Sequence, residues 1–127
     1  MKIYISYFGK IKKIREKGIE AISIARITPT YYFGAEMKCL APEPYMLNYE
    51  WNKYKIEFAK ILARLNAKKI LKQIEKLSGG KDVALLCYEK SNETCHRKLV
   101  ADWIKEKTGI EVVEFGEVKK YTQLSLF

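Results

Sequence analysis

The segment from Cys87 to Arg97 holds the residue types best suited to chemistry. It begins at Cys87 and ends with Cys95, with His96, the only histidine of the chain, and with Arg97. If this end of the segment opens a helix, the free backbone N–H groups and the positive dipole end suit an anion and stabilise a thiolate. Arg97 in the same turn can grip a carboxylate or a phosphate. Three functional residue types therefore converge on one short segment.

Each of these residues also has a structural interpretation. Cys87 can be a buried small hydrophobe, Cys95 can pack a helix, and His96 can lie at the surface. Arg97 can pair with Glu89 or Glu93. A zinc site from the two cysteines, His96 and Cys39 is a further alternative. The spacing is not that of common zinc motifs, and one histidine with three scattered cysteines supports a metal weakly. We therefore predict no metal site, and the sequence indicates no particular cofactor.

A buried strand and a helix flank the segment. The run from Val83 to Cys87 is apolar without interruption, which is typical of a strand buried on both faces of a sheet. Beyond the segment, apolar residues recur at helical spacing from Leu99 to Ile104, and Gly109 ends that pattern. Asn92 or Thr94 is the predicted N-cap of the helix. Ligands of open α/β sheets bind outside the carboxyl ends of strands, which is where this segment begins.

The rest of the chain shows the same alternation of strands and helices. Further strands are predicted over Lys2 to Ser6, Glu20 to Ile27 and Ile110 to Phe115, and helices over Lys10 to Lys17, from Trp51 to near Asn66, and from there to Gly79 and Gly80. This order predicts an α/β fold, a single domain with a mostly parallel sheet of about four to five strands flanked by helices. We assign residues 1–118 to that domain and residues 119–127 to a C-terminal tail.

The stretch from Thr28 to Pro44 is rich in proline and is predicted to be mostly loop. Loops of this length in a compact domain are often functional. Its three consecutive aromatic residues can line a pocket and stack on bases, or they can fill the core. These residues are Tyr31, Tyr32 and Phe33.

Composition restricts the classes of protein that the chain can belong to. A chain of 127 residues, 48% hydrophobic and 31% charged, fits one globular domain and not a disordered segment. No apolar run is long enough to cross a bilayer, and the N-terminus lacks the pattern of a signal peptide. We therefore expect no membrane partner. The odd number of cysteines argues against a disulfide framework, so we expect reduced thiols and a cytoplasmic location.

The chain is strongly basic, with a net charge of +9 and a pI near 9.4. Such a balance favours anionic partners, with nucleic acid or nucleotides first. The alternative is that the lysines serve solubility alone, since they are spread along the chain rather than gathered in one tract.

The cysteine-containing motifs resemble a known family. The run Leu85-Leu86-Cys87-Tyr88-Glu89, followed by Cys95-His96-Arg97 and Ala101, is similar to the signature of the domain of unknown function 488 (DUF488) family. Members of that family have an apolar strand ending in Cys-x-Glu, a short loop, and Cys-His-Arg at the start of a helix. The resemblance spans most of residues 3 to 115.

A second stretch also resembles this family. Ser23-Ile24-Ala25-Arg26, followed by Pro29, is similar to the family's Asp-x-Arg strand end and proline, although Ser23 and Ala25 replace the usual acidic pattern. The resemblance implies a small α/β protein, and it carries no settled activity. It implies a shared site formed by Arg26, Cys87, Glu89, Cys95, His96 and Arg97.

We assign hypothetical roles to the residues of that site. Arg26 and Arg97 bind an anionic group. Glu89 or His96 transfers protons, and Cys95 is a candidate nucleophile, with Cys87 beside it in the catalytic set.

The last five residues resemble a different motif. Gln123, Leu124, Ser125, Leu126 and Phe127 match the pentapeptide by which bacterial replication and repair proteins bind the DNA polymerase sliding clamp. Leu126 and Phe127 can enter an apolar pocket, while Gln123 supplies hydrogen bonds. In the alternative interpretation the tail packs back onto the domain as a last strand.

Three functional hypotheses follow from these observations. In the first, the protein is a small enzyme that acts on a phosphate-bearing or nucleic-acid-related ligand at the Cys87 to Arg97 segment. In the second, it is a non-enzymatic nucleic-acid-associated module tethered to the sliding clamp through Gln123 to Phe127. In the third, it is a structural α/β domain whose segment is only well packed.

Overall fold

The computed structural model describes residues 1–88 and 95–116. Within them the strands are β1 (Ile3–Tyr7), β2 (Glu20–Ser23), β3 (Ala35–Glu36), β4 (Val83–Cys87) and β5 (Val112–Glu114). The α-helices are α1 (Ile11–Glu16), α2 (Trp51–Ala63), α3 (Ala67–Ser78) and α4 (His96–Thr108). Short 3-10 turns cover Phe8–Lys10, Lys38–Leu40 and Pro44–Asn48. None of the helices in the described ranges is long and apolar enough to cross a bilayer.

The strands form one parallel sheet in the order β3-β2-β4-β1-β5. β4 lies at its centre, between β1 and β2, and each of its residues is buried, as the uninterrupted apolar run predicts. At the carboxyl edge Cys87 is in register with Tyr7 of β1, and Leu86 with Ser23 of β2. The predicted fold class, a single α/β domain with a mostly parallel sheet of about four to five strands flanked by helices, is confirmed.

Successive side chains of each strand face opposite sides of the sheet, so each face has its own apolar cluster. On one face, Ile14 of α1 packs in a cluster with Leu86. On the other face, Phe58 of α2 and Ile74 of α3 pack in a cluster with Leu85, and α4 contributes to the same layer. The sheet is therefore covered on one side by α1 and on the other by three helices.

The boundary between α2 and α3 lies where the sequence predicts it. The side-chain oxygen of Asn66 accepts a hydrogen bond from the N–H of Lys69 (3.1 Å), which caps α3. Gly79 ends α3 in the left-handed conformation, with φ of 64°, which a residue with a side chain adopts at a cost. The predicted pair of helices meeting near Asn66 is confirmed.

The end of β2 and the loop that follows it differ from the sequence prediction. β2 ends at Ser23 rather than at Ile27. The N–H of Ile24 still donates to the carbonyl of Leu86 (3.0 Å), but the N–H of Ala25 donates to the Ser23 hydroxyl (3.2 Å) and leaves the ladder. The predicted loop after it contains β3, which is too short to give a periodic signal in the sequence.

The three aromatic residues at positions 31–33 have different environments. Tyr32 is buried, its ring lies edge-on to that of Phe8 (centroids 5.4 Å apart), and its hydroxyl donates to the carbonyl of Ala35 (2.7 Å). Tyr31 and Phe33 are exposed. Tyr32 therefore fills the core, which is one of the two interpretations that the sequence allows.

The burial of Tyr32 predicts a loss of stability in alkaline solution. Burial raises the pKa of Tyr32 from 10.0 to about 12, against the opposing effect of the Arg15 guanidinium. The unfolded chain therefore releases this proton first, so the stabilising contribution is complete below pH 10 and is lost as the pH rises toward 12.

Chemical denaturation at a series of pH values measures this effect. We expect the free energy of unfolding of Tyr32→Phe to fall less steeply above pH 10 than that of the wild type. The control is Tyr45→Phe, which removes an exposed hydroxyl and keeps the wild-type slope. Equal slopes for Tyr32→Phe and the wild type would contradict the prediction.

Candidate functional site

The carboxyl end of β4 lies where the connections of neighbouring strands diverge. The chain leaving β4 reaches α4 on the three-helix face. The chains leaving β1 and β2, its neighbours on either side, run along the opposite face, through α1 and through Tyr32. Adjacent strands whose connections leave on opposite faces open a crevice at their carboxyl ends. The first and last parts of the predicted segment, Cys87 and Cys95 to Arg97, lie at this crevice.

Helix α4 begins at His96, and Cys95 is its N-cap residue, without a side-chain capping hydrogen bond. The caps proposed from the sequence, Asn92 and Thr94, lie outside the described residues, as does the candidate proton-transfer residue Glu89. The prediction that His96 and Arg97 occupy the first turn of this helix is confirmed, whereas Cys95 precedes that turn.

Arg97 is fully buried and has an acidic partner within the chain. Its Nε and one terminal nitrogen donate to the two carboxylate oxygens of Glu114 on β5, at 3.0 and 3.2 Å. Its other terminal nitrogen donates to Cys87 Sγ (3.1 Å), and the guanidinium lies 5.8 Å from the ring centre of Tyr7. One side chain thus connects β4, β1 and β5 through α4. Its proposed role toward an external anion stays a prediction.

The fold brings Cys87 and Cys95 together. Their sulfur atoms are in direct contact, as in a disulfide, and both residues are buried. The donor from Arg97 places a positively charged group beside Cys87 Sγ. Cys39 is exposed and unpaired, so it is not part of this cluster.

His96 is held in one orientation by the backbone of the neighbouring strand. Its Nε2 lies 2.7 Å from the carbonyl oxygen of Ile24, just after β2. A carbonyl only accepts hydrogen bonds, so Nε2 carries the proton and, in the neutral ring, Nδ1 carries the lone pair. The ring also lies edge-on to Phe58 (centroids 5.5 Å apart). The surface interpretation of His96 is wrong, because the residue is 6% exposed.

A cleft of about 410 Å³ opens beside His96. Its volume falls in the range typical of small-molecule sites. The walls carry aromatic rings, two prolines and a few charged groups, and Ile27, Leu47 and Tyr88 expose large apolar surfaces at this cleft. The lining residues are Ala25, Arg26, Ile27, Pro42, Glu43, Pro44, Leu47, Tyr49, Trp51, Tyr54, Tyr88 and His96.

A larger groove, of about 780 Å³, lies between α2, α3 and α4. It is lined by residues such as Lys68, Asp102 and Trp103, and by none of the candidate site residues that the sequence predicts. The cleft beside His96 is the better candidate because it combines a crevice at the carboxyl edge with a titratable side chain.

Arg26 lies in the wall of the cleft, and its guanidinium group already contacts other groups of the protein. Its Nε donates to the carbonyl of Pro42 (3.0 Å), and one terminal nitrogen lies 3.6 Å from the Glu43 carboxylate. These contacts fix the segment that forms the opposite wall of the cleft. None of the contacts given for Arg26 links it to Arg97. The anion-binding role of Arg26 stays a prediction.

Most of the chain matches a known protein family. Residues 10–108 match a family model, DUF488-N3a, described as the active DUF488-N3 subclade. The chain belongs to the DUF488 family. The match includes Arg26, Cys87, Cys95, His96 and Arg97 of this DUF488 domain and ends before β5. Searches of curated proteins and of solved structures gave no match.

Sequence reasoning missed two parts of the site in this DUF488 protein. Glu114, the partner of Arg97, lies 17 residues away on an edge strand, and no local pattern links the two. The aromatic wall of Tyr49, Trp51 and Tyr54 overlaps the start of α2. In the sequence, the spacing of the aromatic residues in this helix is typical of a helix face that packs on the core, so it does not indicate a cleft. The predicted clamp-binding residues 123–127 lie outside the described residues.

The ion pair of Arg97 and Glu114 predicts a large effect on stability. The arginine side chain is 0% exposed and the glutamate side chain 11% exposed. Glu114→Gln keeps the shape and removes the charge that compensates a buried guanidinium, so we expect a loss of about 3–5 kcal/mol in the free energy of unfolding.

A second ion pair, between two residues of α4, provides the matched control. Lys98 and Asp102 are also paired, at 3.1 Å, but both side chains are more than half exposed. Asp102→Asn is therefore expected to cost less than about 1 kcal/mol. Urea denaturation compares the two variants. Equal losses would show that Arg97 does not depend on Glu114.

Proposed function

We propose that this DUF488 protein is an enzyme that binds a phosphate-bearing or nucleic-acid-related ligand in the cleft beside His96. The observation that carries the proposal is the cleft itself. It is an aromatic pocket at the carboxyl edge of a parallel sheet, with an oriented imidazole in its wall.

The aromatic wall suits a flat ligand. The rings of Trp51 and Tyr54 are stacked (centroids 5.2 Å apart, 26° between planes), and Tyr49 lies in the same wall. Base–aromatic stacking is tolerant of base identity because every base has a π-face. A nucleobase or another planar ring is therefore the group that this wall accommodates best.

The charge around the cleft suits an anion. Lys53 lies over the ring of Tyr49, a residue that lines the cleft (4.1 Å from Nζ to the ring centre). Together with Arg26 in the wall and a net charge of +9, this lysine favours a phosphate beside the stacked ring. A nucleotide or a nucleic-acid end combines both features.

The proposed chemistry assigns the proton transfer to His96. Its Nδ1 carries the lone pair in the neutral ring and can accept a proton, while Ile24 holds Nε2–H. Cys95, directly before it, remains the proposed nucleophile, and Glu89 an alternative acid or base. The matched subclade is described as active, which agrees with an enzyme.

Tryptophan fluorescence tests the ligand class. Trp51 lines the cleft and Trp103 lies in the other groove, so a Trp103→Phe background reports on the cleft alone. We expect saturable changes on titration with nucleoside monophosphates or short oligonucleotides. In the wild-type background, measured by calorimetry, Trp51→Ala is expected to weaken binding by about 1–3 kcal/mol, the value of one stacking contact.

The control for this titration is Phe33→Ala, which removes an aromatic ring that is 79% exposed and does not line the cleft. It is expected to bind as the wild type does. An absence of saturable binding by every nucleotide, or the same loss in Phe33→Ala and Trp51→Ala, would contradict the proposal.

We propose, as a second function, that the tail tethers the protein to the DNA polymerase sliding clamp. The observation that favours it is the sequence Gln123-Leu124-Ser125-Leu126-Phe127, in which every position agrees with the preferred residues of the clamp-binding pentapeptide. Such docking agrees with a basic protein that acts on nucleic acid, because the clamp encircles DNA. It does not require the cleft to be an active site.

A peptide of residues 120–127 tests the tether. We expect isolated clamp to bind it with a Kd on the order of micromolar, since two apolar side chains enter a pocket at the cost of fixing the peptide in one conformation. The control peptide carries Leu126→Ala and Phe127→Ala and is expected not to bind. Failure of the clamp to distinguish the two peptides would overturn this proposal.

A further inference from the structure

We infer that reduced Cys87 and Cys95, together with His96, bind a soft divalent cation of the zinc class. Potential ligand atoms of these three buried residues lie within 4.8 Å of one another, a group identified within the described part of the chain. The sequence spacing does not reveal such a site, because the ligands come from the end of β4 and the start of α4. The crevice brings them together.

The separation of the two cysteines fits a metal bridge. Their Cα atoms are 7.7 Å apart. A relaxed disulfide spans about 4.4–6.8 Å between Cα atoms, which is a shorter separation than this one. When the pair is reduced, the two sulfur atoms no longer bond to each other and can separate around a cation. A cation between two thiolates adds two metal–sulfur bonds of about 2.3 Å each, and it therefore joins cysteines at larger separations.

The protein environment balances the charge of such a site. Two thiolates neutralise a divalent cation, and the adjacent guanidinium of Arg97 is neutralised by Glu114. A buried cluster with no net charge avoids the high cost of an uncompensated ion. The hydrogen bond from Arg97 to Cys87 Sγ (3.1 Å) then orients one thiolate ligand from outside the metal shell.

The histidine has the arrangement typical of a metal ligand. In metal sites the ring nitrogen that is not bound to the metal usually donates to a carbonyl or a carboxylate. The carbonyl of Ile24 accepts from Nε2 of His96 at 2.7 Å, which leaves the lone pair on Nδ1. The tautomer is therefore set by the backbone and not by the metal.

The ligand set has consequences for the kind of site. Two thiolates and one imidazole select a soft or borderline cation over magnesium or calcium. Three protein ligands leave one position of a tetrahedral ion for water or a ligand oxygen, as in catalytic zinc sites. His96 also lines the cleft, so the metal site adjoins it. The inference does not depend on ligand binding in the cleft. It is an alternative to the roles proposed above for Cys95 as nucleophile and for Nδ1 of His96 as proton acceptor, because both atoms are occupied when they bind a metal.

Cobalt titration tests the site. Full-length protein is reduced, stripped with a chelator and titrated with Co²⁺ in the absence of oxygen. We expect one Co²⁺ per chain, a thiolate-to-cobalt charge-transfer band in the near ultraviolet, tetrahedral bands in the visible region, and stoichiometric displacement by Zn²⁺. Binding is also expected to release thiol protons, so that the affinity rises with pH.

Three variants locate the ligands, and one controls for adventitious thiol binding. Cys87→Ser, Cys95→Ser and His96→Gln are each expected to lose tight 1:1 binding, and the serine variants to lose charge-transfer intensity. Cys39→Ser removes the exposed, unpaired cysteine and is expected to keep the full spectrum. Circular dichroism of the stripped variants shows which of them fold. If Cys87→Ser does not fold, Cys95→Ser, at the helix N-cap, tests the same pair.

Two outcomes would overturn the metal site. One is an absence of the charge-transfer band in reduced wild-type protein. The other is an equal loss of the band in Cys39→Ser. Nucleotide titration of stripped Trp103→Phe protein, followed through Trp51, distinguishes this failure from that of the proposed function. Binding in the cleft without metal would leave the proposed function intact and remove only the metal site.

Discussion

The carboxyl edge of this sheet depends on one buried ion pair, between Arg97 and Glu114. A guanidinium with no exposed surface requires a fixed counter-charge, and the bidentate geometry supplies it. The pair ties the first turn of α4 to β5, and the third donor of the same group holds Cys87 at the end of β4. The ion pair therefore holds Cys87 next to the first turn of α4, which begins directly after Cys95.

His96 lies between the two features of the molecule that could take part in chemistry. One side of its environment is the aromatic cleft, and the other is the pair of sulfur atoms. The hydrogen bond to Ile24 fixes the ring relative to β2, the neighbour of β4. The crevice between these two strands is therefore a structural reason for the convergence of a thiol pair, an imidazole and a ligand-sized space.

Much of the fold could be predicted from the sequence, because the signals involved are local. The apolar run ending at Cys87 identifies the central strand, and Asn66 and Gly79 mark the helix ends through capping. The location of the site at the end of that strand follows from a general rule for parallel sheets. The partner of Arg97 and the wall around Trp51 could not be predicted, because both result from contacts between elements distant in the chain.

The short strand β3 has a consequence for how the protein behaves among other chains. It forms one edge of the sheet and has only two residues, Ala35 and Glu36. An edge strand of this length offers few unpaired backbone groups to a strand from another molecule, and a carboxylate on it adds charge. This edge is consequently a poor template for intermolecular strand pairing, so the parallel sheet is protected on this side against aggregation in a crowded cell.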